Sequence, residues 1–252
     1  MPLTPPTAEE SLLRLADYFR DRPTRQGLVA RRLLGVGRAE DASDREGLCR
    51  RWAGEVRPDG SVGGAVLPTV WRLHELLDLD ASSDPTFPRL LAWVRELQGQ
   101  PGTFSDGCSP VRHRHHACEH YLDGFFAPAP PTVGIIPLTL PTGKTFRAEP
   151  AARFAVSCLA LAAVLRAGAR GPANDRHLAS LELIAPKWAD WDGYWGPDLA
   201  GSTLRALAAS GSHGEVAEQL AGIIADHQQP DGTWRNGETF HLLDGLADLD
   251  GP

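Results

Sequence analysis

The chain has 252 residues, 42% of them hydrophobic and 23% charged, with a formal net charge of -7, which is ordinary for one globular domain with a sizeable core. A field of that sign repels nucleic acid and anionic membranes, so neither is an expected partner. The first residues, Met1-Pro2-Leu3-Thr4-Pro5-Pro6, carry no basic and apolar leader pattern, the longest strongly apolar stretch (154–165) is too short to span a bilayer, and four cysteines are few for the length. These features predict a cytoplasmic chain with reduced thiols and no transmembrane segment.

In chain order, helical patterns are predicted over 9–20, 26–35, 46–56, 67–79, 87–98, 115–126, 151–167, 174–188, 199–209, 215–228 and 239–249. Between them stand related turns. Gln228-Gln229-Pro230-Asp231-Gly232-Thr233-Trp234 and Gln98-Gly99-Gln100-Pro101-Gly102-Thr103-Phe104 share Gln, three residues, Gly, one residue and an aromatic. Weaker copies stand at Pro58-Asp59-Gly60, Asp192-Gly193-Tyr194-Trp195 and Pro141-Thr142-Gly143. Glycines 60, 102, 143, 193 and 232 are 42, 41, 50 and 39 residues apart, and Gly27 is a candidate sixth. Pro and Asp favour a turn, and Gly supplies a left-handed position at a helix end. The pattern predicts an all-α fold, a single α/α-toroid domain over 1–252. It has about six helical hairpins, the helices after each turn lying inside and those before it outside. The segment 151–165 is apolar nearly all round, as an inner helix buried on both faces should be. A Pro-rich stretch around 127–140 interrupts the pattern, with a candidate strand at 133–138.

The Gln-x-x-x-Gly-x-Trp element at Gln228, Gly232 and Trp234 resembles the QW repeat of squalene and hopene cyclases. The hairpin layout is similar to that of the protein prenyltransferase β-subunit. The resemblance implies a terpenoid-cyclase- or prenyltransferase-like enzyme acting on an apolar, isoprenoid-type substrate in a central cavity. The standard Asp-rich motifs are absent. Asp78-Leu79-Asp80-Ala81 and Asp190-Trp191-Asp192-Gly193 each lack the final Asp of the proton-donating motif, and the chain contains no Asp-Asp pair. Asp106-Gly107-Cys108 and His116-Ala117-Cys118 resemble the two zinc-binding segments of prenyltransferases, which in that family lie in different hairpins.

Read by itself, 106–124 holds four of the nine histidines and two of the four cysteines. Three readings stay open. Cys108, His116 and His120 make a zinc site, since zinc favours Cys and His. Alternatively, His116, His120, Glu119 and Asp106 act as metal-free catalytic groups, with Arg112 and Arg114 binding an anion. The third is a solvated helix start with no chemistry. Trp71 and Tyr121 are candidate aromatic walls, and Arg153 a candidate substrate-binding cation. Further cavity-lining candidates are Arg72, His74, Glu75, Ser157, Ser202, Thr203, Arg205, His241 and Asp244. Cys158 reads as inert core. A second function class is a non-catalytic toroid that binds a protein or small molecule. A third is an α/α-barrel carbohydrate enzyme, pairing Glu119 with Asp192 or Asp244 across the mouth.

Overall fold

The structure is a computed structural model that describes residues 7–100, 124–191 and 196–249. Among these residues the chain is mostly helical. The helices are α1 (Ala8–Phe19), α2 (Arg25–Leu33), α3 (Asp41–Ala53), α4 (Val66–Asp78), α5 (Phe87–Glu96), α6 (Glu149–Arg166), α7 (Pro172–Ile184), α8 (Pro197–Ala208), α9 (Gly214–Asp226) and α10 (Thr239–Ala247). A 3-10 turn, Ala185–Ala189, extends α7, and β1 (Leu138–Thr139) pairs antiparallel with β2 (Thr145–Phe146). No described helix is long and apolar enough to cross a membrane.

The helices start where side chains satisfy the first free N–H groups. Thr7 and Glu10 form a reciprocal capping box at α1, and Thr24 accepts from Gly27 at α2. At α10 the carboxylate of Glu238 accepts from the His241 N–H. The helices after each turn form one row: α2 packs on α4, α4 on α6, α6 on α8, and α8 on α10. The helices before each turn lie behind that row, with α3 against α2, α5 against α4 and α6, α7 against α8, and α9 also against α8. Burial follows the layers. On α6 every residue from Ala152 to Leu165 is buried, as is Pro197 to Leu207 on α8, whereas α5 and α9 bury one stripe each.

The turns repeat in atomic detail. Val56 bridges Val62, Gln98 bridges Phe126, and Gln228 bridges Trp234. The next N–H donates back across each turn at the same 2.8 Å: Arg57 to the Ser61 oxygen, Gly99 to Phe125, Gln229 to Thr233. Gln98 and Gln228 each donate their side-chain amide to the carbonyl of the turn glycine, Gly124 at 2.8 Å and Gly232 at 3.1 Å. Asp59 and Asp231 each accept from the N–H and hydroxyl of the residue two ahead, Ser61 and Thr233. The turn glycines 60, 124 and 232 have φ of 92°, 75° and 83°.

This corrects the predicted repeat. The partner of Gln98 is Phe126, not Phe104, and the glycine of that turn is Gly124, not Gly102. Two residues separate Gln229 from Gly232 in the fifth turn, whereas 24 residues, 100–123, separate Gly99 from Gly124. Residues 101–123 lie outside the described residues, and the described end of the predicted helix 115–126 is turn, not helix. Gly143 lies at the tip of the β1–β2 hairpin and is no helical turn. Gly27 sits inside α2, where a Cβ would lie 2.2 Å from the Arg22 carbonyl oxygen. The described residues give five helical hairpins; the helix predicted over 115–126 lies outside them except for its last three residues. The irregular segment 127–148, which holds β1 and β2, connects the third turn to α6.

If 100–123 is an insertion, replacing it with the Pro-Asp of the fifth turn leaves the fold intact. Far-UV circular dichroism should be retained, and urea unfolding should show stability unchanged or raised by up to about 2 kcal/mol, the loop-closure difference. Loss of the cooperative transition would show that 100–123 belongs to the core.

Candidate functional site

The inner row converges on Trp71 of α4, which is half-buried. The guanidinium of Arg25, from α2, lies 5.1 Å from its ring, and that of Arg205, from α8, lies 6.0 Å away. Trp71 shares the walls of a small central space with Leu140, Ala155, Leu159, Ser202, Arg205 and His241, and with Thr142 of the β1–β2 tip. That space is about 10 Å³, room for one water-sized sphere. Two larger depressions, about 400 and 310 Å³, lie elsewhere, one between α9 and the 3-10 turn and the other among α2, α3 and α4.

At the N-terminal end of this space His241 is 5% exposed. Its Nε2 lies 2.8 Å from the Asp198 carbonyl oxygen, which can only accept, so Nε2 carries the proton. Nδ1 is then the acceptor for the Thr142 hydroxyl at 3.2 Å. Ser202 lies 3.0 Å from Nε2 and itself donates to the Asp198 carbonyl. Because Nε2 is a donor, the Ser202–His241 pair is not a nucleophile with its base. Burial, above all, holds the His241 pKa below the ordinary imidazole range.

At the opposite end the cations and carboxylates are matched. Asp78 accepts from Arg25 and Arg166. Burial works to raise its carboxyl, but the two guanidiniums outweigh burial and leave it lowered. Arg205 pairs with Asp244 and, at 3.0 Å, with Asp248. Arg72 lies against Glu55 at 2.8 Å and Glu75 at 3.0 Å. His74 bonds the Leu159 carbonyl at 3.0 Å and meets Arg166 at 3.0 Å. Its pKa is pushed well down by burial, with Arg205 and Arg166 adding to the effect. Two carboxyls are raised, Glu75 and Asp248, both chiefly by burial. Cys158 is fully buried, and burial pushes its thiol far above the ordinary range, so it is not a nucleophile.

Of the sequence-predicted site residues, Trp71 lies at the centre. Arg153 is 8% exposed and serves the irregular segment. It pairs with Glu149 at 2.9 Å and donates to the carbonyls of Ala129, Pro130 and Val133 at 2.9, 3.3 and 2.6 Å. Asp106, Cys108, Arg112, Arg114, His116, Glu119, His120 and Tyr121 lie outside the described residues. Among the described residues no group of three His, Cys, Asp or Glu side chains could hold a metal ion.

The residues the sequence reading missed are Leu140, Thr142, Lys144 and Asp198. Lys144 pairs with Asp198, whose side chain is 6% exposed. The signal for the first three was the alternation Leu138-Thr139-Leu140, Lys144-Thr145-Phe146 around Pro141-Thr142-Gly143, which is a hairpin pattern rather than a helical turn; Asp198 has no such local signal. Compared with family models, curated proteins and solved structures, the chain matches none.

Proposed function

We propose that the chain is an α/α toroid, of terpenoid-cyclase or prenyltransferase-like build, that binds a small apolar guest at its centre without transforming it. The observation that carries this reading is the convergence on one space of Trp71, Ala155, Leu159, Ser202, Arg205 and His241, from four helices. An apolar wall with a few converging polar groups is the usual make-up of a ligand site. The reach of Arg25 and Arg205 to one indole supports the ring, since α2 begins the inner row and α8 stands near its end. Binding is favoured over catalysis because His241, which lines the space, is committed to a carbonyl and a hydroxyl, while His74 and Asp78, outside that lining, are committed to Leu159 and Arg166 and to two arginines.

The test is a fluorescence titration with 1-naphthol. Ala155→Leu places extra carbon in the centre and should weaken binding at least about tenfold, the effect of about 1.4 kcal/mol. Equal affinity in the two proteins would place the probe elsewhere and refute the reading.

A second reading, an enzyme acting on an apolar substrate, draws on Glu75 and Asp248, whose carboxyls are raised, Asp248 being paired with the Arg205 that lines the central space. It also keeps the candidate chemistry of 106–121, with or without zinc at Cys108, His116 and His120. Turnover lost in Asp248→Asn with guest binding retained would favour it.

A further inference from the structure

The hairpin formed by β1 and β2 covers the N-terminal ends of α8 and α10. Its buried residues are Leu140, 3% exposed, and Phe146, 5% exposed. Leu140 and Thr142 reach the central space. Phe146 stands edge-on to His241 at 6.4 Å. The hairpin's own strands are two residues each, far too short to hold shape alone. Its position therefore depends on the core burial of Leu140 and Phe146, on the packing of β2 against α6, and on the polar side chains at its tip. Thr142 donates to His241, and Lys144 pairs with Asp198.

The chain on the N-terminal side is held separately. Arg153 binds the carbonyls of Ala129, Pro130 and Val133, and Glu149 accepts from the Ile135 N–H at 3.0 Å. Between this clamp and the hairpin stand Ile136 and Pro137, and between the hairpin and α6 stand Arg147 and Ala148. All four are exposed. A clamped base, an exposed joint on either side, and a body held by two apolar side chains, one contact with α6 and two polar contacts make a segment that can lift while α6, α8 and α10 keep their packing on one another.

What the tip presents to the centre is an apolar side chain, Leu140, and two residues on a hydroxyl, Thr142. We propose that residues 138–146 are a gate that occupies the central site in the manner of its guest. The guest is a small apolar molecule carrying a hydroxyl. Its body takes the place of Leu140, and its O–H donates to the His241 Nδ1 that Thr142 now occupies. This rests on the central-binding reading above. It adds how the guest enters a space of about 10 Å³ and which polar group the guest must bring.

The experiment follows a thiol placed in the wall by Ser202→Cys, a position 4% exposed. Labelling by N-ethylmaleimide is read peptide by peptide in the mass spectrometer. Cys158, fully buried between inner helices, reports global unfolding in the same sample. Lys144→Ala, and independently Thr142→Val, which leaves no buried charge unpaired, should each speed labelling of the introduced thiol about tenfold, the effect of about one lost polar contact. Labelling of Cys158 should not change. Rates that rise together at both thiols, or at neither, overturn the gate. In a second arm 1-naphthol should protect the introduced thiol, and naphthalene, lacking the hydroxyl, should protect it at least about tenfold less well. Equal protection by both overturns the hydroxyl assignment. Absence of protection by either, with the gate rates behaving as stated, overturns the central-binding reading and the guest while leaving the moving hairpin.

Discussion

Gly124→Ala should destabilise the protein by about 3–4 kcal/mol in urea unfolding. Two independent effects add at this position. The residue has φ of 75°, and a Cβ there would lie 2.1 Å from the Ala173 carbonyl oxygen of α7 and 2.9 Å from the His177 nitrogen. Both neighbours are backbone, so neither can rotate away. Gly143 makes the control. Its φ is 95°, but nothing lies within 4 Å of a built Cβ, so Gly143→Ala should cost only the backbone strain, about 1 kcal/mol. Gly60 shares the tight form, with a Cβ 2.5 Å from the Arg89 carbonyl of α5. The second and third turns thus each seat their glycine on the next helix behind the inner row, and the contact links one hairpin to the next. Equal losses at 124 and 143 would mean that the turn does not dock on α7.

Acid should weaken the fold from pH 6.5 downward, well before the carboxylates titrate. His177 of α7 is fully buried, 3.9 Å from the Phe125 ring centroid, with neither ring nitrogen hydrogen-bonded. Burial pushes its pKa from 6.5 down to about 3. The unfolded chain therefore takes up a proton that the folded chain refuses. Stability is complete above pH 6.5 and falls with each unit below it, until the folded imidazole titrates near pH 3. One such group accounts for about 2 kcal/mol at pH 5 and about 4–5 kcal/mol in total. His74 and His241 are lowered as well and act in the same direction. Glu75 and Asp248, whose carboxyls are raised, act oppositely and favour the fold as pH falls through the range where they protonate. His177→Leu isolates the first contribution. It should match or exceed the natural protein by about 1–2 kcal/mol at pH 7, because an unpaired buried polar group is removed. At pH 5 it should lead by about 2 kcal/mol more. Parallel pH profiles for the two proteins would exclude His177 as the acid-sensitive group.

Much of this architecture is legible in the sequence, and the failures have physical causes. The inner helix α6 announces itself because it is apolar nearly all round, and the fifth turn because Gln228, Asp231, Gly232 and Trp234 each supply one of its contacts. The third turn is hard to place from sequence because Phe104 completes a local imitation of the motif, whereas the bridge from Gln98 is to Phe126. The signal was present in a shorter form. Asp59-Gly60-Ser61-Val62, Asp123-Gly124-Phe125-Phe126 and Asp231-Gly232-Thr233-Trp234 share Asp-Gly, one residue and a large apolar side chain. The glutamine does not discriminate, since Gln98 precedes both Gly102 and Gly124. Asp78 and Asp80 stand at the end of α4, where Asp78 joins α2, α4 and α6 through Arg25 and Arg166, and Asp80 meets Arg32. The hairpin latch was invisible for a different reason. The ion pair of Lys144 with Asp198 and the bond of Thr142 to His241 join positions 54 and 99 residues apart, and no local pattern encodes such a meeting.

Among the described residues five helical hairpins pack together, and the proposal is that the apolar space they share takes a small guest. Its most direct test is a map of backbone amide and indole chemical shifts in the full chain as 1-naphthol is added. The account predicts that the largest changes fall on the Trp71 indole, Leu159, Ser202 and His241, with smaller ones along 138–146. Changes confined to 106–121, to the outer depressions, or to no residue at all would contradict it.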